Sequence, residues 1–416
     1  MRILFYVILF IYIYPIYLNV IPIPLDRLIQ VIGLVVFLFT PHFYKKIIGN
    51  RYFLTFFTLT FFLVFYSFLV QLRNTEGGDW YLVKDFLNYI FLFFSSYLVC
   101  FVFYKWKGEF SVINFLDSFV FVCVIQVCIS LIFFVNNTLF VLYSSLLNQG
   151  VNEHFQARLG LAEKRLIGIG SSFFTGVTKY GVLFLITITL SQFKESYFFK
   201  RKFLFAICLV LITVGGIMTG RTFFFAILLG VMLFLWFKFT NLFVFIGKVM
   251  PAIFLSTYFL FILGGKFLDA NRLEKTTNFI FEIFENYEQT GELTTSSSNL
   301  TLSMYVFPSN IMTWTFGDGK IMMADGTYYM LTDVGYSRLI FYFGLIGLFL
   351  FLFVQIYHFN ILSKIYKDLR LTKLFAILFL WIVLLNLKGL AHVNEFTTLL
   401  LVAGLVSHYH FKKLAI

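Results

Sequence analysis

The sequence predicts an all-α integral membrane protein, a polytopic bundle of about twelve transmembrane helices with two long periplasmic loops. Three observations predict it. Of the 416 residues, 60% are hydrophobic and only 12% charged, against about half and a quarter in soluble domains, and the mean hydropathy is +0.89. The apolar runs are continuous, whereas strands of a transmembrane barrel alternate apolar and polar residues over about ten positions. Sixty-one Phe and twenty-four Tyr against six Pro suit long helices with aromatic flanks, because a lipid-facing segment must satisfy its backbone N–H and C=O groups internally.

With about 17 to 25 apolar residues to a span, candidates fall at 3–20, 28–40, 53–72, 86–104, 112–135, 173–193, 203–219, 223–237, 249–264, 337–357, 374–387 and 396–408. The whole chain, 1–416, reads as one transmembrane domain. Its first run follows Met1 and Arg2 and ends at Val20-Ile-Pro-Ile-Pro-Leu25. That boundary lacks the small residues a signal peptidase requires, so an uncleaved first span is expected.

The formal charge of +12 is spread in short basic clusters between apolar runs, the pattern that orients a membrane protein and not a nucleic-acid-binding face. Sorting the thirty-two Lys and Arg between alternate loops puts about eighteen on one side, including Arg51, Lys364 and Lys367. The positive-inside rule makes that side cytoplasmic, with both termini there. Cys100, Cys123, Cys128 and Cys208 all fall in apolar runs without metal-ligand spacing and read as core residues.

Two outer loops, 136–172 and 265–333, exceed the roughly 15 residues beyond which loops are usually functional or disordered. Function is therefore expected on the periplasmic face. The second opens with an amphipathic helix over 271–287. There Leu273, Ile280, Phe284 and Tyr287 share one face and Glu274, Glu282 and Glu285 another. Such a helix either lies on the membrane or covers the bundle. A polar linker, Thr294-Thr-Ser-Ser-Ser-Asn299, follows it.

Four arginines sit near span ends on that side: Arg165, Arg221, Arg272 and Arg338. A guanidinium stays charged when buried and matches phosphate in bidentate fashion, so several converging on one cavity suit a pyrophosphate; snorkelling or pairing with a nearby acid is the structural alternative. Arg221 occupies the short reversal Met218-Thr-Gly-Arg-Thr222, where Gly220 is read as the source of turn freedom. Asp333 and Arg338 are spaced for an ion pair or a split acid/cation site, and Tyr336 between them joins the substrate-binding candidates. Gly344 and Gly347 allow another helix to approach closely.

The first loop adds His154, Arg158, Glu163 and Lys164, with Gly168 and Gly170 as a weak anion nest and Lys179 in the next span. Lys388, His392 and Glu395 cluster at the last outer turn. Asp333, His392 and Glu395 are the candidates for acid/base work. No metal site stands out. Asp318, Asp325 and Asp333 are widely spaced, and the first two precede Gly as turn acids do. A reaction without metal or cofactor is expected.

Trp314-Thr-Phe-Gly-Asp-Gly319 and Thr332-Asp-Val-Gly-Tyr-Ser-Arg-Leu-Ile-Phe-Tyr-Phe-Gly-Leu-Ile-Gly-Leu348 resemble the stretch in which bacterial O-antigen polymerases of the Wzy type leave their large periplasmic loop. Gly216-Ile-Met-Thr-Gly-Arg-Thr222 resembles that family's Gly/Ser-Arg-Thr turn; Arg165-Leu-Ile-Gly168 and Leu385-Asn-Leu-Lys388 are similar more loosely. The resemblance implies a glycosyltransferase of the bacterial inner membrane. It would move a growing glycan from undecaprenyl pyrophosphate onto a new lipid-linked repeat unit at the periplasmic face. Its partners are then the lipid-linked oligosaccharide donor and acceptor, the bilayer, and a chain-length-regulating membrane protein; nucleic acid is not among them. Arg221 and Arg338 are expected to reach the donor pyrophosphate from one cavity. An O-antigen ligase is the nearest alternative, but ligases place a His in the large loop and 265–333 contains none. A flippase or transporter of lipid-linked sugar is the alternative from another class, though no internal repeat supports it.

Overall fold

The computed structural model describes residues 1–21, 23–40, 47–74, 79–147, 165–237, 258, 270–291, 295, 302–323 and 326–413, without the side chains of 172, 270–273, 283–284 and 408–413. Helices dominate. Six of them, among the described residues, are long and apolar enough to cross a membrane. Contacts gather into two units, one of residues 1–31 and 99–293, the other of 32–98 and 294–416. Of the candidate span at 249–264, all but residue 258 lie outside the described residues.

The first unit begins with α1 (Arg2–Ile13). This helix stops well short of residue 20 because Tyr14 precedes Pro15 and takes extended geometry (φ −121°, ψ 85°). The first turns of α2 (Leu25–Leu38) belong to this unit; the remainder, α3 (Arg51–Arg73) and the first part of α4 (Tyr81–Lys107) belong to the second. The first unit resumes in the C-terminal part of α4 and continues through α5 (Val112–Val135) and the short α6 (Asn137–Ser145). The loop at 136–172 thus opens in a helix and closes in a two-residue hairpin, β1 (Ile167–Gly168) with β2 (Ser171–Ser172).

At the centre of this unit stands α7 (Phe173–Leu190), with all but two of its 18 residues buried, as expected of a helix apolar on every side. It packs on α5, α8 (Lys202–Thr219) and α9 (Phe223–Phe237). The amphipathic segment becomes α10 (Ala270–Thr290), which rests on α8 through buried Thr276, Phe279 and Ile280. Of its two expected roles it takes that of a cover helix.

The second unit is organised by α12 (Gly335–Tyr366), whose 32 residues extend about 48 Å at 1.5 Å each. It packs on α3, α13 (Leu369–Leu385) and α14 (Asn394–Lys413). The helix is broken at Gly344 (φ 68°, ψ −174°), and α11 (Ile311–Phe316) packs into the break. Asp318 and Gly319 amides donate to the Phe341 and Tyr342 carbonyls at 2.5 and 3.2 Å. The glycine-rich motif at 314–319 therefore docks the large loop's backbone onto the interrupted helix. Gly344 does admit a neighbour, as expected, but the neighbour is one short turn of that loop.

A Cβ at Gly344 would lie 2.2 Å from the Thr315 carbonyl, on top of a positive-φ, extended backbone that only glycine adopts readily and that costs another residue about 1–3 kcal/mol by itself. At Gly108 (φ 77°) a Cβ meets nothing within 4 Å. Gly344→Ala is therefore expected to lower the thermal midpoint of the purified protein well beyond Gly108→Ala. Equal shifts would mean that the loop does not dock at the break.

Candidate functional site

Each unit assembles one group of charged candidates. In the first, the Leu166 amide donates to the Met218 carbonyl at 3.0 Å, so the end of the first loop is tied to the end of α8. That bond brings Arg165 beside Arg221, which follows α8 by two residues. Both guanidinium groups lie against one ring, that of Phe279 on α10, at 4.7 and 4.5 Å from its centroid. One turn along α10, Glu282 reaches Arg221, with Nη1 2.6 Å from Oε2. Glu282 is thus turned inward to a cation and not outward on a polar face. Burial first, and then the Arg221 charge, pull the Arg165 pKa below its ordinary value, with Glu282 opposing. Arg165 Nε is buried and has no hydrogen-bond acceptor among the described residues. Two fixed positive groups meet one carboxylate there, an arrangement that attracts a further anion.

Other candidates in this unit have structural work. Lys179 Nζ donates to the Ile13 carbonyl at 2.5 Å and lies 5.2 Å from the Tyr14 ring, so it caps the negative end of α1 inside the unit; it is not placed as a substrate ligand. Gly168 and Gly170 form no anion nest. A Cβ on Gly168 would lie 2.1 Å from Ser130 Oγ, and Gly170, at φ 57°, turns the hairpin against the Pro15 carbonyl. Gly220 is extended (φ −179°) and supplies no unusual turn freedom; it is small because a Cβ would come within 2.7 Å of Val177. Arg272 is on α10, but its side chain lies outside the described residues, as do His154, Arg158, Glu163 and Lys164.

In the second unit, Arg338 opens α12 with its side chain buried against the Tyr328 ring, 4.5 Å from the centroid. Its Nη1 lies 3.3 Å from Asp333 Oδ1, so these two residues form an ion pair. Arg338 Nε is a second buried donor with no acceptor among the described residues. Beyond the end of α13, Asn386 clamps the 386–391 turn by donating to the Ile382 and Ala391 carbonyls and accepting from the Ala391 amide. The clamp sets the path of the chain through Lys388 to His392. Tyr336, by contrast, donates its hydroxyl to the Val383 carbonyl at 2.9 Å and anchors α12 to α13.

His392 Nε2 is 2.9 Å from Asp85 Oδ2, a carboxylate on α4. Burial lowers the imidazole pKa, but the Asp85 charge and, less strongly, Glu395 overcome it, raising the value from 6.5 to about 9. At neutral pH His392 is therefore an imidazolium, with its buried Nδ1 lacking an acceptor among the described residues. It is suited to donate a proton or hydrogen bond, not to act as a base. Tyr81 lies within electrostatic reach of both Asp85 and Arg338, which ties the two charge pairs to one neighbourhood of this unit. Asn394, two residues beyond His392, has a buried side-chain amide whose donor and acceptor have no partner among the described residues.

Sequence reasoning missed Asp85, Phe279, Tyr328 and Asn394. Asp85 carried a usable signal, since a carboxylate within an apolar helix asks for a partner. Asp318 is engaged by Thr313 Oγ1 at 2.6 Å and Tyr329 OH at 3.1 Å, and among the described residues no group of three His, Cys, Asp or Glu is placed to hold a metal ion. Compared with known proteins, the chain matches no family model, no curated protein and no solved structure.

Proposed function

We propose that this chain is a polysaccharide polymerase of the O-antigen type. It is a metal-independent glycosyltransferase of the bacterial inner membrane that moves a growing glycan from undecaprenyl pyrophosphate onto a new lipid-linked repeat unit. One observation carries the reading. In the first unit Arg165 and Arg221 share one aromatic face, and Arg165 keeps a buried donor without an acceptor among the described residues. A leaving pyrophosphate is the anion that such groups stabilise as charge develops on it. Within the second unit the reading takes Arg338 and an imidazolium at His392 as donors, and Glu395 or Asp333 as a base for the acceptor hydroxyl.

The reading includes the full topology, with about twelve spans, both termini cytoplasmic, and the loops at 136–172 and 265–333 periplasmic. A cysteine at Ser309 is expected to react with an impermeant maleimide applied from the periplasmic side, and one at Lys364 only after the inner membrane is opened. The reverse pattern would overturn both orientation and function. The test of function is the glycan profile of cells lacking the protein. Loss of polymerisation leaves a single repeat unit on the lipid A core; polymer retained on the carrier lipid would instead identify a ligase, and accumulation of lipid-linked units at the cytoplasmic face a transporter.

A further inference from the structure

At the other end of α12, within the second unit, lies a cleft of about 180 Å³. This is smaller than the roughly 300–1,000 Å³ of sites for drug-sized ligands. Arg51, Lys364 and Lys367 line it, no carboxylate among the described residues does, and its apolar wall is formed by Ile365 and Leu405, both buried. We propose that this cleft holds the headgroup phosphate of an anionic phospholipid drawn from the surrounding bilayer. The assignment rests on reading α3 and α12 as spans; it does not depend on the polymerase reading.

The cleft is formed where α3 starts and α12 ends. If those helices span the bilayer, their termini lie at the level of lipid headgroups, and basic pockets between spans are where anionic headgroups bind. At the start of α3 the Asn50 side chain accepts from the Tyr52 amide at 2.8 Å, while the helix's aligned amides add partial positive charge. Arg51 is braced, with Nη2 donating to Tyr52 OH at 3.0 Å and the guanidinium 4.9 Å from the Tyr52 ring centroid. It presents an oriented fork to a phosphate instead of a free tether.

Lys367 is the most informative of the three. It caps α12 in the left-handed conformation (φ 53°, ψ 21°), the place where glycine is the usual residue. A lysine is sterically disfavoured there, and what it adds is a cation. The nearest acid in sequence, Asp368, is committed elsewhere: it accepts from the Arg370 side chain at 2.8 Å and caps α13 through the Arg370 amide. A headgroup phosphate would meet three cations, with the apolar wall receiving its glycerol and first methylenes.

Delipidated full-length protein titrated with dioleoyl phosphatidylglycerol and followed by native mass spectrometry tests this. One lipid is expected to bind in preference to dioleoyl phosphatidylcholine. At about fivefold per cation, Arg51→Gln/Lys364→Gln/Lys367→Gln should weaken it by about a hundredfold. Lys367→Gly, which suits the left-handed cap, should weaken binding about fivefold without loss of thermal stability, so a misfolded triple variant does not decide the matter. Lys105→Gln/Lys107→Gln should leave binding unchanged. Undiminished phosphatidylglycerol binding in Lys367→Gly, equal binding of phosphatidylcholine, or full competition by inorganic phosphate at equal concentration would each overturn the proposal, the last by making the site one for free phosphate.

Discussion

Arg221→Ala and Arg338→Ala are expected to lose long glycan chains. Loss of a charge-assisted contact in a partly dry site removes on the order of 2 to 4 kcal/mol of transition-state stabilisation, or about thirty-fold to nearly a thousand-fold in rate. Lysine keeps the charge without the planar fork, so Arg221→Lys and Arg338→Lys should fall between wild type and alanine. The first unit allows a sharper version. Truncating Arg221 takes from the Glu282 carboxylate, whose side chain is only 22% exposed, its cation at 2.6 Å, and a half-buried charge that loses a partner destabilises the fold. In Arg221→Ala/Glu282→Gln that burden is gone, so stability should recover while polymerisation stays lost. Recovery of long chains in the double variant would assign Arg221 a structural role alone. Glu282→Gln by itself leaves both guanidinium groups on Phe279 with no carboxylate opposite Arg221, and is expected to lower KM for the lipid-linked donor.

The second large effect is on pH dependence. With His392 raised to about 9 by Asp85, activity that needs the imidazolium is expected to hold through neutrality and fall as pH rises through about 9. Asp85→Asn removes the charge that outweighs burial. What remains is chiefly desolvation, so the His392 pKa should drop toward or below 6.5 and the alkaline limb of the pH–rate profile should move down by two units or more. The stability sign agrees. A raised pKa contributes stability that is fully present below the unfolded value of 6.5 and lost as pH rises through 9, and thermal midpoints of wild type and Asp85→Asn should converge at high pH. An unshifted rate profile in Asp85→Asn would show that His392 does not titrate in the reaction.

The helical, membrane-like character was legible because it is a property of composition and run length, which need no partner to be read. Arg165, Arg221 and Arg338 were legible for the same reason, since a cation near a span end is conspicuous by itself. Their settings were not. Phe279 lies on an amphipathic helix where an aromatic residue signals nothing, yet it bears two guanidinium groups. Asp85 finds its partner in His392, on a turn far along the chain. Lys179 shows the converse, a buried lysine that looks like a ligand until the α1 carbonyl it caps, 166 residues earlier, is known. Gly344 signals close approach, but nothing local says that the visitor is a six-residue helix from a loop.

The interleaving of the two units has a consequence for biogenesis. Once residue 293 has been synthesised, every residue of the first unit exists, but the segment 32–98 still waits for its partners, which begin at 294. Gln71 on α3, buried in the finished protein, donates to the Gly319 carbonyl, 248 positions later, and to the Tyr342 hydroxyl. At about 5–20 residues per second that wait lasts about 12–50 s. Thr60 and Ser67 on the same helix are satisfied by the Phe56 and Leu63 carbonyls one turn back, but for that interval the Gln71 amide lacks its acceptors, a costly state for a helix that spans the bilayer. Nascent chains arrested between residues 98 and 319 should therefore be the forms most exposed to membrane proteases and most dependent on insertion chaperones.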